Sequence, residues 1–275
     1  MSGNPRPPFP FPLLKFWFLR VFPAWAGIAS IIFMMQIAVA AIVHDNDNVR
    51  IFLNFIDLLP DFVKAALGGD LLKSGELQGL LTIGYQHPFM MFLNMVYAVG
   101  VPTGLLTAEV QKGTMELVLS RSVSKTHVYI CAAVLTIVGM FGLEIVMFLG
   151  TVASVNIYTF TEPINLWLFA RIAVTGGLLA STFGAFALLS AALFGQFYMA
   201  LGASVAFLSL NYFISIVSQW WPALKFLRYA TLFSLVFYSR VWFEWPWQNL
   251  AILGGIMLAA VIAGGLIWRR RDLFA

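Results

Sequence analysis

The feature that most restricts this chain is a series of six windows, each about twenty residues or longer and almost free of charge. They run from about Val21 to Val43, Pro88 to Thr107, Val128 to Ser154, Leu166 to Leu193, Tyr198 to Ser218 and Asn249 to Trp268. Crossing a hydrocarbon layer about 30 Å thick takes about 20 helical residues, and each window meets that length. No water is present there to satisfy backbone N–H and C=O groups, so only helices or a closed barrel can span. A barrel needs short strands of alternating apolar and polar residues, whereas these windows are apolar all round. The sequence therefore predicts an all-α integral membrane protein with six transmembrane helices in one domain over residues 1–275. Composition agrees: 61% of residues are hydrophobic and 10% charged, against about 25% charged in a typical soluble domain. Sixteen bases against twelve acids, with no long basic tract, give no footprint for a nucleic-acid partner.

Orientation follows from the bases in short connections. With the N-terminus in the cytoplasm, nine bases fall inside: Arg6, Lys15, Arg20, Lys112, Arg121, Lys125, Arg269, Arg270 and Arg271. Six fall outside: Arg50, Lys64, Lys73, Lys225, Arg228 and Arg240. The excess and its closeness to helix ends predict cytoplasmic N- and C-termini. The first twenty residues are basic and proline-rich without a small-residue cleavage site, so they are expected to be retained.

Three connections stand out. Residues 9 to 20 mix Phe, Trp and Leu with Lys15 and Arg20, a pattern expected of a separate interfacial helix before the first span. Residues 44 to 87 form the longest outer loop, in which Ile51, Phe52, Phe55 and Ile56 suggest a short amphipathic helix. Residues 219 to 247 are too apolar for a free loop and too often interrupted by charge for a seventh span, so a re-entrant or interfacial hairpin is expected. Small residues recur every fourth position at Ala173, Gly177, Ser181 and Ala185, and again at Gly255, Ala259 and Ala263. Both stripes are expected to be close-packing faces.

Few side chains can carry chemistry. The single cysteine, Cys131, and scattered His44, His87 and His127 offer no metal-ligand spacing. Met34, Met35, Met90, Met91 and Met95 read as packing, and no metal site is predicted. Neither Lys73-Ser74 nor Lys125-Thr126 is preceded by the glycine of a phosphate-binding loop, so ATP hydrolysis is not expected of this chain. No catalytic motif appears either. The polar groups within spans are Gln36, Asn94, Glu144 and Arg171. Gln36, Asn94 and Glu144 are candidates to line a translocation pathway, with interhelical hydrogen bonding as the alternative. Glu144 could be satisfied by Arg171 or by a hydroxyl of a neighbouring span, while Arg171 is expected to snorkel to the outer interface.

The connection between spans two and three, residues 108 to 127, is the most specific stretch. Gly113-Thr114 can break or cap a helix, after which Thr114, Glu116 and Leu117 begin a short amphipathic turn. Glu109, then Gly113-Thr114, Glu116-Leu117, Leu119-Ser120 and Val123-Ser124-Lys125 resemble the E-x-x-x-G-T-x-E-x-L-x-x-x-P-V-S-R signature of ABC type-2 transporter permeases. Upstream, Leu59-Pro60, Gly68, Gly69, Asp70, Ser74 and His87-Pro88 resemble NosY-like permeases, membrane subunits of ABC exporters. Arg270-Arg271-Asp272-Leu273 resembles their terminal basic motif. With six spans in register, the resemblance covers nearly the whole chain. Two positions depart from it: Ser122 stands where the family usually has proline, and Lys125 where arginine is common.

The resemblance implies a type-2 ABC exporter permease fold in the cytoplasmic (inner) membrane. Its coupling segment, carried by Glu109, Gly113, Thr114, Glu116, Leu117, Ser122, Ser124 and Lys125, would dock into a separate cytosolic ATPase subunit. Two ATPase copies, which bind ATP and Mg, and a second permease subunit would complete the transporter. No residue set selects a substrate. Two other readings stay open on the residues: an ion-coupled carrier using Glu144, and a non-transporting anchor that recruits an ATPase for maturation of an outer-face enzyme.

Overall fold

The computed structural model describes residues 10–66, 77–121, 123–237 and 244–272. Helix α1 (Phe11–Val43) is followed by α2 (Asn46–Asp57), α3 (Asp61–Ala66), α4 (Leu77–Leu81) and α5 (Ile83–Gln86). Helix α6 (Pro88–Leu105) leads through α7 (Thr107–Gln111) and α8 (Thr114–Leu119) into α9 (Lys125–Ile157). Then come α10 (Leu166–Leu193), α11 (Phe197–Trp220), a 3-10 helix (Pro222–Ala230), α12 (Ser234–Phe237) and α13 (Trp247–Arg270). No strand occurs among the described residues. Among the described residues, six helical stretches are long and apolar enough to cross a membrane: α1, the stretch Leu77–Gln111 around α6, α9, α10, α11 and α13. Successive passes define two faces. The near face carries the start of α1, helices α7 and α8, the α10–α11 turn and the end of α13; the far face carries residues 44–66, 77–87, 158–165, 221–237 and 244–246.

Helix α10 is the axis of the bundle, packed against α13, α9, α6 and α11. In its apolar window 67% of residues are buried within the protein, against 17% for α13, which places α13 on the outside. Small side chains explain the close approach: Ala173, Gly177, Ser181 and Ala185 are all buried, as expected. A Cβ on Gly177 would lie 2.8 Å from Phe141 Cδ1, and one on Gly184 would lie 2.6 Å from Thr136 Cγ2. Both positions require glycine for α9 and α10 to touch.

The second stripe is corrected. Gly255 and Ala259 are exposed, and nothing lies within 4 Å of a Cβ built on Gly255. The buried seam of α13 runs instead through Leu253, Ala260, Gly264 and Trp268. A Cβ on Gly264 would come within 3.1 Å of Leu189 Cα, so this glycine, and not Gly255, sets the distance to α10.

The start of the chain also differs from expectation. Instead of a separate interfacial helix over 9 to 20, α1 runs unbroken from Phe11 through Pro23 to Val43. At 1.5 Å per residue it is about 50 Å long and overshoots a hydrocarbon core. Phe11, Phe16 and Leu19 are exposed, yet Trp17 is 1% exposed and belongs to the main core. Burial of that indole ties the first turns to the bundle and keeps them in line with the span.

On the far face α2 is amphipathic as expected. Asp45 caps it by accepting from Asp47 N at 3.1 Å, Ile56 is buried, and Ile51 and Phe55 face outward. Residues 77–86, read from sequence as the end of a loop, are instead core: Leu80 and Leu81 of α4, Thr82 between the two helices and Tyr85 of α5 are buried. This uncharged run is held by Gln36 of α1, whose Nε2 donates to Leu81 O at 3.3 Å, and by Gly84, which lets the Gln36 amide approach. In the 219–247 region the chain turns back into the bundle, burying Thr231, Phe233 and Val236. Asn211 Oδ1 accepts from Leu232 N, and Asn249 Nδ2 donates to Leu235 O at 2.8 Å. Trp220, Trp221 and Trp247 remain exposed around this re-entry; residues 238–243 of the expected hairpin lie outside the described residues.

Candidate functional site

The near-face connection is organised by Glu109. Its carboxylate is 8% exposed and accepts from two directions: Arg20 Nη1 of α1 donates to Oε1 at 2.7 Å, and Thr114 Oγ1 donates to Oε2 at 2.6 Å. Thr114 Oγ1 also reaches the Glu109 backbone carbonyl at 3.1 Å. Gly113, at φ 73°, makes the left-handed turn that brings Thr114 back over Glu109. Residues with a Cβ are disfavoured there, which accounts for glycine at this point. Met115, 1% exposed, pins α8 to the core, while Val118 and Leu119 pack partly against it. What remains outward is Gln111, Lys112, Glu116, Leu117, Ser120 and Arg121, with Leu117 69% exposed.

The expected coupling residues therefore divide into two groups. Glu109, Gly113 and Thr114 form an internal latch that holds α8 against α1. Glu116 and Leu117 are presented to whatever lies beyond the near face. Ser124 caps α9, its Oγ accepting from His127 N at 3.2 Å. Lys125 is occupied within the chain, donating from Nζ to Arg271 O at 2.8 Å. Ser122 lies outside the described residues.

Arg271 has a role that spacing could not suggest. Its Nη1 donates to the carbonyls of Ala191, Ala192 and Phe194 at 3.3, 3.2 and 2.8 Å, satisfying the free carbonyls at the end of α10. Burial lowers its pKa from the ordinary arginine value. Gln111 Oε1 accepts from Phe197 N at 3.3 Å and so tethers the start of α11 to α7. Through Glu109, Gln111 and Lys125 the connection is bonded to Arg20 of α1, to Phe197 at the start of α11 and to Arg271 just after α13.

A second site lies within the bundle. Between α5, α6, α9, α10, α11 and α12 is a cleft. Asn94 and Glu144 meet on its wall, Asn94 Nδ2 donating to Glu144 Oε1 at 2.9 Å. Neither Arg171 nor a hydroxyl fills that place, so the partner expected from sequence is corrected to Asn94. Gly176 of α10 leaves room for the carboxylate: a Cβ there would stand 3.3 Å from Oε2. Gln36 is not part of the cleft; it anchors α4 and α5 as described above. Arg171, near the start of α10, is 9% exposed. Tyr85 was not singled out from sequence. It lines the cleft and shares a 2.7 Å hydrogen bond with Thr151 that joins α5 to α9. Among the described residues no group of three or more His, Cys, Asp or Glu is placed to hold a metal ion.

Compared with known proteins, the chain matches no family model. No curated protein shows significant sequence similarity to it.

Proposed function

We propose that this chain is the membrane-spanning subunit of an ABC-type exporter, driven by a separate cytosolic ATPase that docks on α8. The observation that carries the reading is the division of labour in the near-face connection. Glu109, Thr114 and Met115 hold α8 rigidly to α1 and the core, while Glu116 and Leu117 are left outward on the same short helix. An exposed leucine rimmed by Lys112, Glu116 and Arg121 suits a protein contact with an apolar centre and charged edge. The motif residues of the connection, which resemble the permease signature, lie in that latch and on that outer surface. Two ATPase copies and a second permease subunit complete the assembly, with both termini of this chain in the cytoplasm.

The test is ATP hydrolysis by the partner ATPase reconstituted with this chain in lipid. Substituting Glu116→Lys with Leu117→Asp removes the stimulation by the membrane subunit and leaves membrane insertion and the detergent melting temperature unchanged. Undiminished stimulation in that double variant overturns the coupling assignment.

A further inference from the structure

The cleft around Glu144 holds more chemical information than a packing defect. A carboxylate inside an apolar bundle is costly unless a proton or a cation compensates it. Glu144 is 7% exposed, and the one hydrogen bond it accepts among the described residues is the amide N–H of Asn94. No Lys, Arg or His of the described residues lies within salt-bridge distance of it, Arg20–Glu109 being the ion pair formed there. Asn94 Oδ1 is buried with no hydrogen-bond partner, so the pair has acceptor capacity left on both residues. Much of the remaining lining is aromatic and aliphatic: Phe183 and Phe233, with ring centroids 5.4 Å apart, together with Met95 and Leu208. An ionisable carboxyl sharing a cleft with aromatic rings is a pattern that favours an organic cation, which would compensate the carboxylate and gain cation–π and apolar contact.

An inorganic cation fits less well. Calcium or magnesium needs about six oxygen ligands, and the polar side chains of this cleft are Tyr85, Gln86, Asn94 and Glu144, with one carboxylate among them. We propose that the cleft is a binding site for a lipophilic monovalent cation, with Glu144 as its counter-ion, Asn94 as the residue that orients the carboxylate, and Phe183 and Phe233 as the apolar wall. This deepens the exporter reading by naming a substrate class, and rests on that reading for its transport role. Binding itself needs no ATPase, so failure of coupling and failure of this site are separable.

The experiment uses the full chain in lipid nanodiscs and two probes of the same shape and opposite charge, tetraphenylphosphonium and tetraphenylborate, measured by equilibrium binding against empty nanodiscs. The wild type binds tetraphenylphosphonium saturably, and tetraphenylborate neither binds saturably nor competes. Glu144→Gln weakens tetraphenylphosphonium binding at least tenfold. Ala180→Phe, which fills the cleft without altering the carboxylate, does the same, and Leu258→Ala on the outer surface of α13 leaves binding unchanged. Should Glu144→Gln fail to fold, Ala180→Phe and the charge comparison on the wild type still decide. Equal binding of both probes, an unaffected Glu144→Gln protein, or no saturable binding overturns the proposal; an unaffected Glu144→Gln protein would assign Glu144 to a protonated packing carboxyl.

Discussion

Replacing Thr114 by valine keeps the shape of the side chain and removes the hydroxyl that closes the near-face latch. That hydroxyl donates at 2.6 Å to a carboxylate that is 8% exposed, and the bond lies where water competes poorly. Hydrogen bonds to charged groups contribute about 1.5–3 kcal/mol each. The other arm of the latch is weaker despite its 2.7 Å length, because the Arg20 side chain is 42% exposed, and such partly solvated pairs contribute about 1 kcal/mol or less. Loss of the threonine arm should therefore raise the local opening of α8 about ten- to hundredfold, and loss of the arginine arm about fivefold or less. Amide hydrogen exchange across Thr114–Leu119 reads this directly, with exchange in α10 as the internal control for global unfolding. The expected order is Glu109→Ala above Thr114→Val above Arg20→Ala. Wild-type exchange in the Thr114→Val protein, or a larger effect from Arg20→Ala, refutes the latch.

Three further outcomes follow from the fold. Gly264→Leu collides with Leu189 and should lower the detergent melting temperature sharply, whereas Gly255→Leu on the open face should be tolerated; the reverse result would restore the stripe read from sequence. Arg271→Ala strips three carbonyls of their donor and should destabilise the protein by about 2–3 kcal/mol, with faster hydrogen exchange concentrated at the end of α10. A membrane-impermeant thiol reagent should label Leu58→Cys but not Leu117→Cys in intact cells, both positions being well exposed and Cys131 fully buried; the opposite pattern would reverse the orientation.

The spans were legible because an uncharged window of twenty residues has one stable answer in a membrane. For α10 the sequence boundaries and the observed Leu166–Leu193 coincide. Residues 77–86 were not legible, since ten uncharged residues are too few to span and carry no periodic signature that separates loop from short buried helix. In α13 two small-residue stripes interleave, and only the neighbouring surfaces, Tyr129 of α9 and Leu189 of α10, decide between Gly255 and Gly264. At the near face, the motif located the connection but not its inner and outer residues. Arg20 and Glu109 are 89 positions apart, and no local pattern joins them. Likewise Glu144 could be singled out as expensive, while its partner Asn94, 50 positions away, required the packing of α6 on α9.

The coupling role turns on what meets Leu117. Leu117→Cys adds an accessible thiol to a chain whose other cysteine is buried, and a short photoactivatable crosslinker on that thiol reports its neighbour in membranes of the cell that makes the protein. That role predicts a crosslink to a cytosolic protein carrying an ATP-binding phosphate loop, with a yield that changes between nucleotide-free and ATP-bound membranes. Crosslinks to lipid alone, or to a protein without an ATP site, would contradict it.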